Sequence, residues 1–203
     1  MMIVAFSQIF HVLVVAVHVS GAVVDIHFTS MASQLVLGVF ILLEFVRATK
    51  IEPLASVLNS AFALFVDEKD RGALVLTNIY LLVGTFAPVW IACQRHLASN
   101  HLALYSGVLS VGIGDAVASV VGSMHGRRKW PGTSKTVEGT ATSVAAQLAF
   151  VGCWAAATAF DLNFVSVAVI VGSITASSVM EALTQQVDNL VLPLTLYIML
   201  SFI

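Results

Sequence analysis

Charge is what this chain has least of. Nine Lys and Arg and eleven Asp and Glu make up 10% of its 203 residues, for a formal net charge of −2. An ordinary soluble domain carries about 25% charged residues. Here 59% of the residues are hydrophobic and the mean hydropathy is +0.97, which excludes a water-soluble globule. So few basic residues also leave no electrostatic footprint for nucleic acid. Cysteine is nearly missing. Cys93 and Cys153 both fall in or beside apolar segments, which excludes a disulfide framework or a thiolate metal cluster and leaves packing as their role. No internal repeat, low-complexity tract or long linker divides residues 1–203, so a single membrane-embedded domain is expected. The first apolar segment lacks a basic leader and outruns the ~7–15 apolar residues of a signal peptide, so it reads as a retained helix.

What is abundant is apolar sequence, in runs at 3–24, 31–48, 73–93, 101–122, 139–160, 164–182 and 187–203. Most approach the ~20 residues that cross a ~30 Å hydrocarbon core, so the expected fold is all-α, a polytopic transmembrane helical bundle of about seven spans. Residues 51–65 are apolar but short and contain Glu52, Pro53 and Asn59. They fit a short interfacial or re-entrant helix better than a crossing. With that segment not crossing, Arg47, Lys50, Lys69, Arg71, Arg127, Arg128, Lys129 and Lys135 fall on one side, and Arg95 alone on the other. The positive-inside rule makes the crowded side cytosolic. Were 51–65 to cross, Arg47 and Lys50 would change sides and the asymmetry would weaken.

One stretch carries chemistry that packing in lipid does not require: GDAVASVVGSMHGRRKWPGTSKTVEGT, residues 114–140. Asp115 lies inside an apolar run, where a carboxylate at a helix centre costs roughly 2.5–3.5 kcal/mol on insertion scales. A metal ion or a fixed cation is the usual compensation. On a helix Asp115, Ala118, Ser119, Gly122 and Gly126 share one face. For the glycines alone the plain reading is a small-residue packing seam. A basic loop follows at once, with Pro131 and Gly132 in the order suited to a type II turn. Lys135, Thr136 and Glu138 then stand at the entrance of the next helix, where backbone amides and the dipole favour a phosphate. On residue chemistry alone this is a membrane-embedded nucleotide site.

The composite pattern D-x-x-A-x-x-x-G-x-x-x-G followed by W-P-G-T-x-K-T-x-E-G-T resembles the dolichol kinase family, within the wider polyprenol and phytol kinases. FVDEKD at 65–70, IYLLVGTFAPVW at 79–90 and EALTQQVDNLVLPL at 181–194 extend the resemblance. From about residue 37 onward the chain is similar to the family's C-terminal half. The resemblance implies a multi-pass endoplasmic-reticulum membrane enzyme with a cytosolic nucleotide loop. It would transfer the terminal phosphoryl group of CTP to dolichol, making dolichyl phosphate for protein glycosylation, with Mg²⁺ or another divalent cation. It places the CTP-binding stretch on Ser123, Met124, His125, Gly126, Arg127, Arg128, Lys129, Trp130, Pro131, Gly132, Thr133, Ser134, Lys135, Thr136, Val137, Glu138 and Gly139.

Catalytic roles are expected of Asp115, Lys135 and Glu138, and metal ligation of Asp115, Glu138 and Asp188. Whether Asp115 binds the metal or acts as general base is open on sequence. Glu181 and Asp188 would share a face if one helix held both. Asp67, Lys69 and Asp70 form a further charged cluster, Glu44 and Arg47 are expected to pair within their own helix, and His11 echoes a family histidine. Ser7, Gln8 and Ile9 stand where the family is usually basic, and Ser134 where relatives tend to carry lysine. Phytol or other polyprenol kinases, and cytidylyltransferases acting on phosphatidic acid, also present a nucleotide to a lipid. A transporter would use the acid for an ion, but it calls for two related halves, and no internal repeat is seen.

Overall fold

Along α2 (Ile26–Ala48) polar residues point inward and apolar residues outward, the reverse of a helix in a water-soluble bundle, and α7 (Phe164–Leu183) buries serines beside Ile170 and Ile174. On α2 the buried residues are Thr29, Ser30, Ser33 and Glu44, while Phe28, Met31, Leu35, Leu42 and Phe45 are exposed. On α7 Ser166, Ser173, Ser177, Ser178 and Glu181 are buried, and Phe164, Val165 and Val171 face outward. Lipid tails solvate the outer face as well as a protein core would, so small and hydrogen-bonding residues hold the helices to one another.

The computed structural model describes residues 2–62, 74–95, 101–184 and 188–203. The remaining helices are α1 (Met2–Val24), α3 (Leu54–Phe62), α4 (Thr77–Arg95), α5 (Ala116–His125), α6 (Val137–Thr158) and α8 (Asp188–Leu200). A 3₁₀ turn, Leu102–Tyr105, and a π-helix, Val108–Asp115, lead directly into α5. The fold is all-α, as expected. Among the described residues, α2, the segment Val108–His125, α6 and α7 are long and apolar enough to cross a membrane. The expected seven spans are therefore not found. At 13 residues α8 reaches only about 20 Å at 1.5 Å per residue, short of the ~30 Å core. α4 is diluted by Thr77, Asn78, Thr85, Pro88 and Gln94. The nine-residue α3 is too short to cross, in keeping with the sequence.

Local chemistry sets the boundaries. Asp25 breaks α1 from α2 by accepting from the amides of His27 and Phe28 at 2.9 and 3.0 Å, an N-cap that satisfies two of the first-turn donors. Asn163 caps α7 through the Ser166 amide at 3.0 Å. Glu44 and Arg47 pair as expected, at 2.7 Å. The pair also gathers two other elements. Arg47 donates to Asn59 on α3 at 3.2 Å, and Glu44 accepts from the Val75 amide ahead of α4 at 2.6 Å. Both cysteines are free. Cys93 packs against the Ile26 carbonyl, whereas Cys153 is exposed rather than packed.

The 3₁₀ turn and π-helix run through the middle of the bundle. Leu102, Leu104, Val108, Leu109 and Val111 are fully buried there, and α1, α4, α6, α7 and α8 all pack against this segment. Tyr105 meets Trp154 and Phe150 at ring separations of 6.1 Å, and His18 stacks on Phe86 at 5.2 Å. The segment delivers Asp115 to the junction of π-helix and α5.

Candidate active site

The site is built where α5, α6 and α7 converge. α5 and α6 approach closely because their facing residues are small. A Cβ on Gly139 would stand 2.7 Å from the Ala118 carbonyl oxygen and 3.3 Å from the Gly122 Cα. The packing-seam reading of these glycines therefore holds. Between the two helices the chain makes a small hairpin, closed by a bridge between Lys129 and Thr136. The Trp130 amide donates to the Lys135 carbonyl at 2.9 Å and the Val137 amide to the Arg128 carbonyl at 2.8 Å. Its tip is the expected turn. The Thr133 amide donates to the Trp130 carbonyl at 3.3 Å, and Gly132 takes φ +75°, the left-handed value that position i+2 of a type II turn requires.

Side chains pin the hairpin to α6. Trp130 Nε1 donates to Thr140 Oγ1 at 3.0 Å. Thr136 caps α6, its Oγ1 accepting from the Gly139 amide at 3.2 Å. Glu138 accepts from the amides of Arg127 and Arg128 at 3.1–3.2 Å. The Glu138 carboxylate thus closes the loop from the first turn of α6, and the Val137 and Gly139 amides are taken by the Arg128 carbonyl and Thr136 Oγ1.

The hairpin places Lys135 at the centre of a group of acids. Its Nζ donates to Glu181 Oε1 at 2.5 Å and lies 3.7 Å from Asp115 Oδ1. Asp188, at the start of α8, adds to the same field and receives Thr184 Oγ1 at 3.5 Å. Burial pulls the Lys135 ammonium down, but Glu181, then Asp115 and Asp188, outweigh it and hold the group above the ordinary lysine range. Side-chain exposure separates the acids: 31% for Asp115 against 5% for Glu181. Asp115 is therefore less deeply enclosed than its apolar flanks suggested.

Of the expected site residues, Asp115, Lys135 and Asp188 come together, and Glu138, in the first turn of α6, accepts from the hairpin amides. Ser123, Met124 and His125 are exposed at the end of α5, and Arg127, Arg128 and Lys129 are exposed on the hairpin. Glu181 and Asp188 stand on either side of the connection between the last two helices, α7 ending at Leu183 and α8 beginning at Asp188. Asp67, Lys69, Asp70 and the His11 side chain lie outside the described residues. Among those described, no group of three His, Cys, Asp or Glu side chains is arranged to hold a metal ion alone. Mg²⁺ does not need one, since it keeps waters and takes one or two carboxylates plus phosphate oxygens. Three acids around a single ammonium are hard oxygen donors with negative charge in excess, and they fit such an ion.

Comparison with known proteins bears on the family of the chain. The profile of the dolichol kinase family matches residues 4–85. The dolichol kinases of Bos taurus and Homo sapiens are each 46% identical over 198 residues, 94% of this chain and 37% of their own length. A dolichol kinase of Arabidopsis thaliana is 32% identical over 197 residues, 94% of this chain and 34% of its own. The chain belongs to the dolichol kinase family. It spans a little over a third of the length of these dolichol kinases. No solved structure matches it.

Proposed function

We propose that this chain is the catalytic portion of an enzyme that transfers the γ-phosphoryl group of CTP to the hydroxyl of dolichol. It would act in the endoplasmic-reticulum membrane with the hairpin on the cytosolic side, and its product, dolichyl phosphate, would serve protein glycosylation. The observation that carries this reading is the meeting of Lys135 with Asp115 and Glu181 beneath the basic hairpin. The one-sided placement of Arg127, Arg128, Lys129 and Lys135 supports the orientation.

Phosphoryl transfer is catalysed mainly by positioning and charge neutralisation. Arg127, Arg128 and Lys129 on the exposed hairpin attract the nucleotide. An ammonium has three donors, so Lys135 can keep Glu181 while turning its other hydrogens to the γ-phosphate. Asp188 is the carboxylate that would hold a divalent ion, which would supply further neutralisation of the phosphates when bound. The dolichol oxygen attacks the γ-phosphorus, the bond from that phosphorus to the β,γ-bridging oxygen breaks, and CDP leaves with the electron pair. The hydroxyl proton passes to Asp115, the more open carboxylate and the one without a short bond to Lys135. At 1.5 Å per residue Asp115 lies about 10 Å below Gly122, a depth where the hydroxyl of a membrane-dissolved lipid can meet phosphates descending from the hairpin.

The test is incubation of the full-length protein with γ-labelled CTP, Mg²⁺ and a panel of dolichol, polyprenol and phytol. Label on dolichol with release of CDP is expected. Pyrophosphate release with CMP retained on the lipid, or label on phytol alone, contradicts the reading.

A further inference from the structure

Below the acids and Lys135 lies a buried amide in an apolar helix. Gln147 on α6 is 2% exposed, and its Nε2 donates to Ser143 Oγ at 3.1 Å and to Ser178 Oγ at 3.0 Å. Its Oε1 accepts from none of the described residues. A buried amide whose acceptor goes unmatched costs stability, and a leucine would pack this position at no such cost. The amide also sits at a junction. A Cβ on Gly114, the residue before Asp115, would stand 2.8 Å from Gln147 Nε2 and 3.2 Å from Ser143 Oγ. On the other side, Ser178 precedes Glu181 by one turn of α7. Gln147 thus touches the backbone that carries one of the Lys135 acids and is bonded to the helix that carries the other.

We infer that Gln147 is a positioning residue: it sets the distance between Asp115 and Glu181, and so the place of Lys135 between them. The bond to Ser143 stays within α6 and ties it to no other helix. The bond to Ser178 crosses to α7 and fixes the register of Glu181 against the π-helix. Without the second bond, α7 can slide on α6, and Lys135 follows whichever acid it stays with. Coulombic attraction of Lys135 for a triphosphate tolerates such a shift, whereas the transfer step does not, since misplacement by about 1 Å costs up to about a hundredfold.

The test uses the full-length protein with Gln147→Leu, Ser178→Ala and Ser143→Ala, and two readouts. The first is CTP-dependent phosphorylation of dolichol, which rests on the phosphotransfer reading. The second is acylation of Lys135 relative to Lys129 at one pH, read by peptide mass spectrometry, which does not. Gln147→Leu and Ser178→Ala should each lower kcat about tenfold with KM for CTP within about twofold, and raise Lys135 acylation several-fold. Ser143→Ala should leave both unchanged. Ser178→Ala removes one oxygen, so it keeps the test decisive if Gln147→Leu fails to fold. Unaltered Lys135 labelling in Ser178→Ala, or an equal loss in Ser143→Ala, overturns the inference. If the wild type labels no dolichol, the phosphotransfer reading fails, and the acylation arm still decides the role of Gln147.

Discussion

Replacing Lys135 by methionine keeps the length and apolar stem of the side chain and removes only its ammonium. Glu181, whose side chain is 5% exposed, then loses a donor at 2.5 Å, and Asp115 and Asp188 face it without a counter-charge. Deleting one partner of a buried pair costs about 3–5 kcal/mol. Lys135 is 33% exposed, so water screens part of the interaction, and a loss of about 2 kcal/mol is expected. For a domain of this size that is a fall in Tm of roughly 4–8 °C. Loss of a charge-stabilising donor at a transferred phosphoryl group should lower turnover by about 10²–10³-fold. Both are measured on protein in lipid nanodiscs, by label transfer from CTP and by thermal unfolding followed through tryptophan fluorescence. Adding Glu181→Leu removes the stranded carboxylate. The double variant should regain stability to within about 1 kcal/mol of the wild type while its turnover stays low. A double variant no more stable than Lys135→Met would show that the ion pair is not the source of the loss. Turnover of Lys135→Met within tenfold of wild type would remove Lys135 from the phosphate.

Three other outcomes follow from the same geometry. Glu138→Gln removes the charge from the acceptor of the Arg127 and Arg128 amides and so weakens the closure of the hairpin. Trypsin should then cut faster after Arg127 and Arg128, and KM for CTP should rise severalfold with kcat little changed; an unaltered cleavage rate would refute the loop-closing role. Gly139→Ala drives a methyl against the Ala118 carbonyl and should cost about 1–3 kcal/mol by overpacking, whereas Gly152→Ala, with open space around it, should be neutral or stabilising in the same unfolding assay. Because the folded Lys135 titrates above its ordinary value, its stabilising contribution is complete below about pH 10.4 and fades only as pH rises through the higher folded value. The difference in stability between wild type and Lys135→Met should therefore be flat from about pH 6 to 9 as far as Lys135 is concerned, and a midpoint near neutrality traced to Lys135 would contradict the placement.

Local signals were legible where one residue type answers one backbone demand. Pro131-Gly132 marked the turn, Thr136 the helix entrance, and the apolar flanks of Asp115 together with the later Lys135 marked two groups that meet at 3.7 Å. Less was legible where a residue has several partners open to it. Glu138 suits a metal by type, and its type gave no sign that it accepts from the hairpin amides of Arg127 and Arg128. Glu181 and Asp188 stood near the turn between the last two segments, but their spacing gave no sign that Lys135 reaches Glu181. The number of spans was overestimated because apolar composition does not reveal that α8 is only 13 residues long. The π-helix at Val108–Asp115 left no mark that periodicity could read, since apolar residues and glycines make up all of it but Ser110 and Asp115. Gln147 stood in the sequence as an isolated amide among apolar residues, four after Ser143, and that isolation was the available signal.

The most direct test of the central claim is an experimental structure of the full-length protein in lipid with a non-hydrolysable CTP analogue and Mg²⁺, read for one distance, from Lys135 Nζ to the nearest γ-phosphate oxygen. The account predicts hydrogen-bond length, about 2.7–2.9 Å, with Asp115 beside the same phosphate. An analogue bound elsewhere, with Lys135 still held only by Glu181 and no phosphate near Asp115, would contradict it.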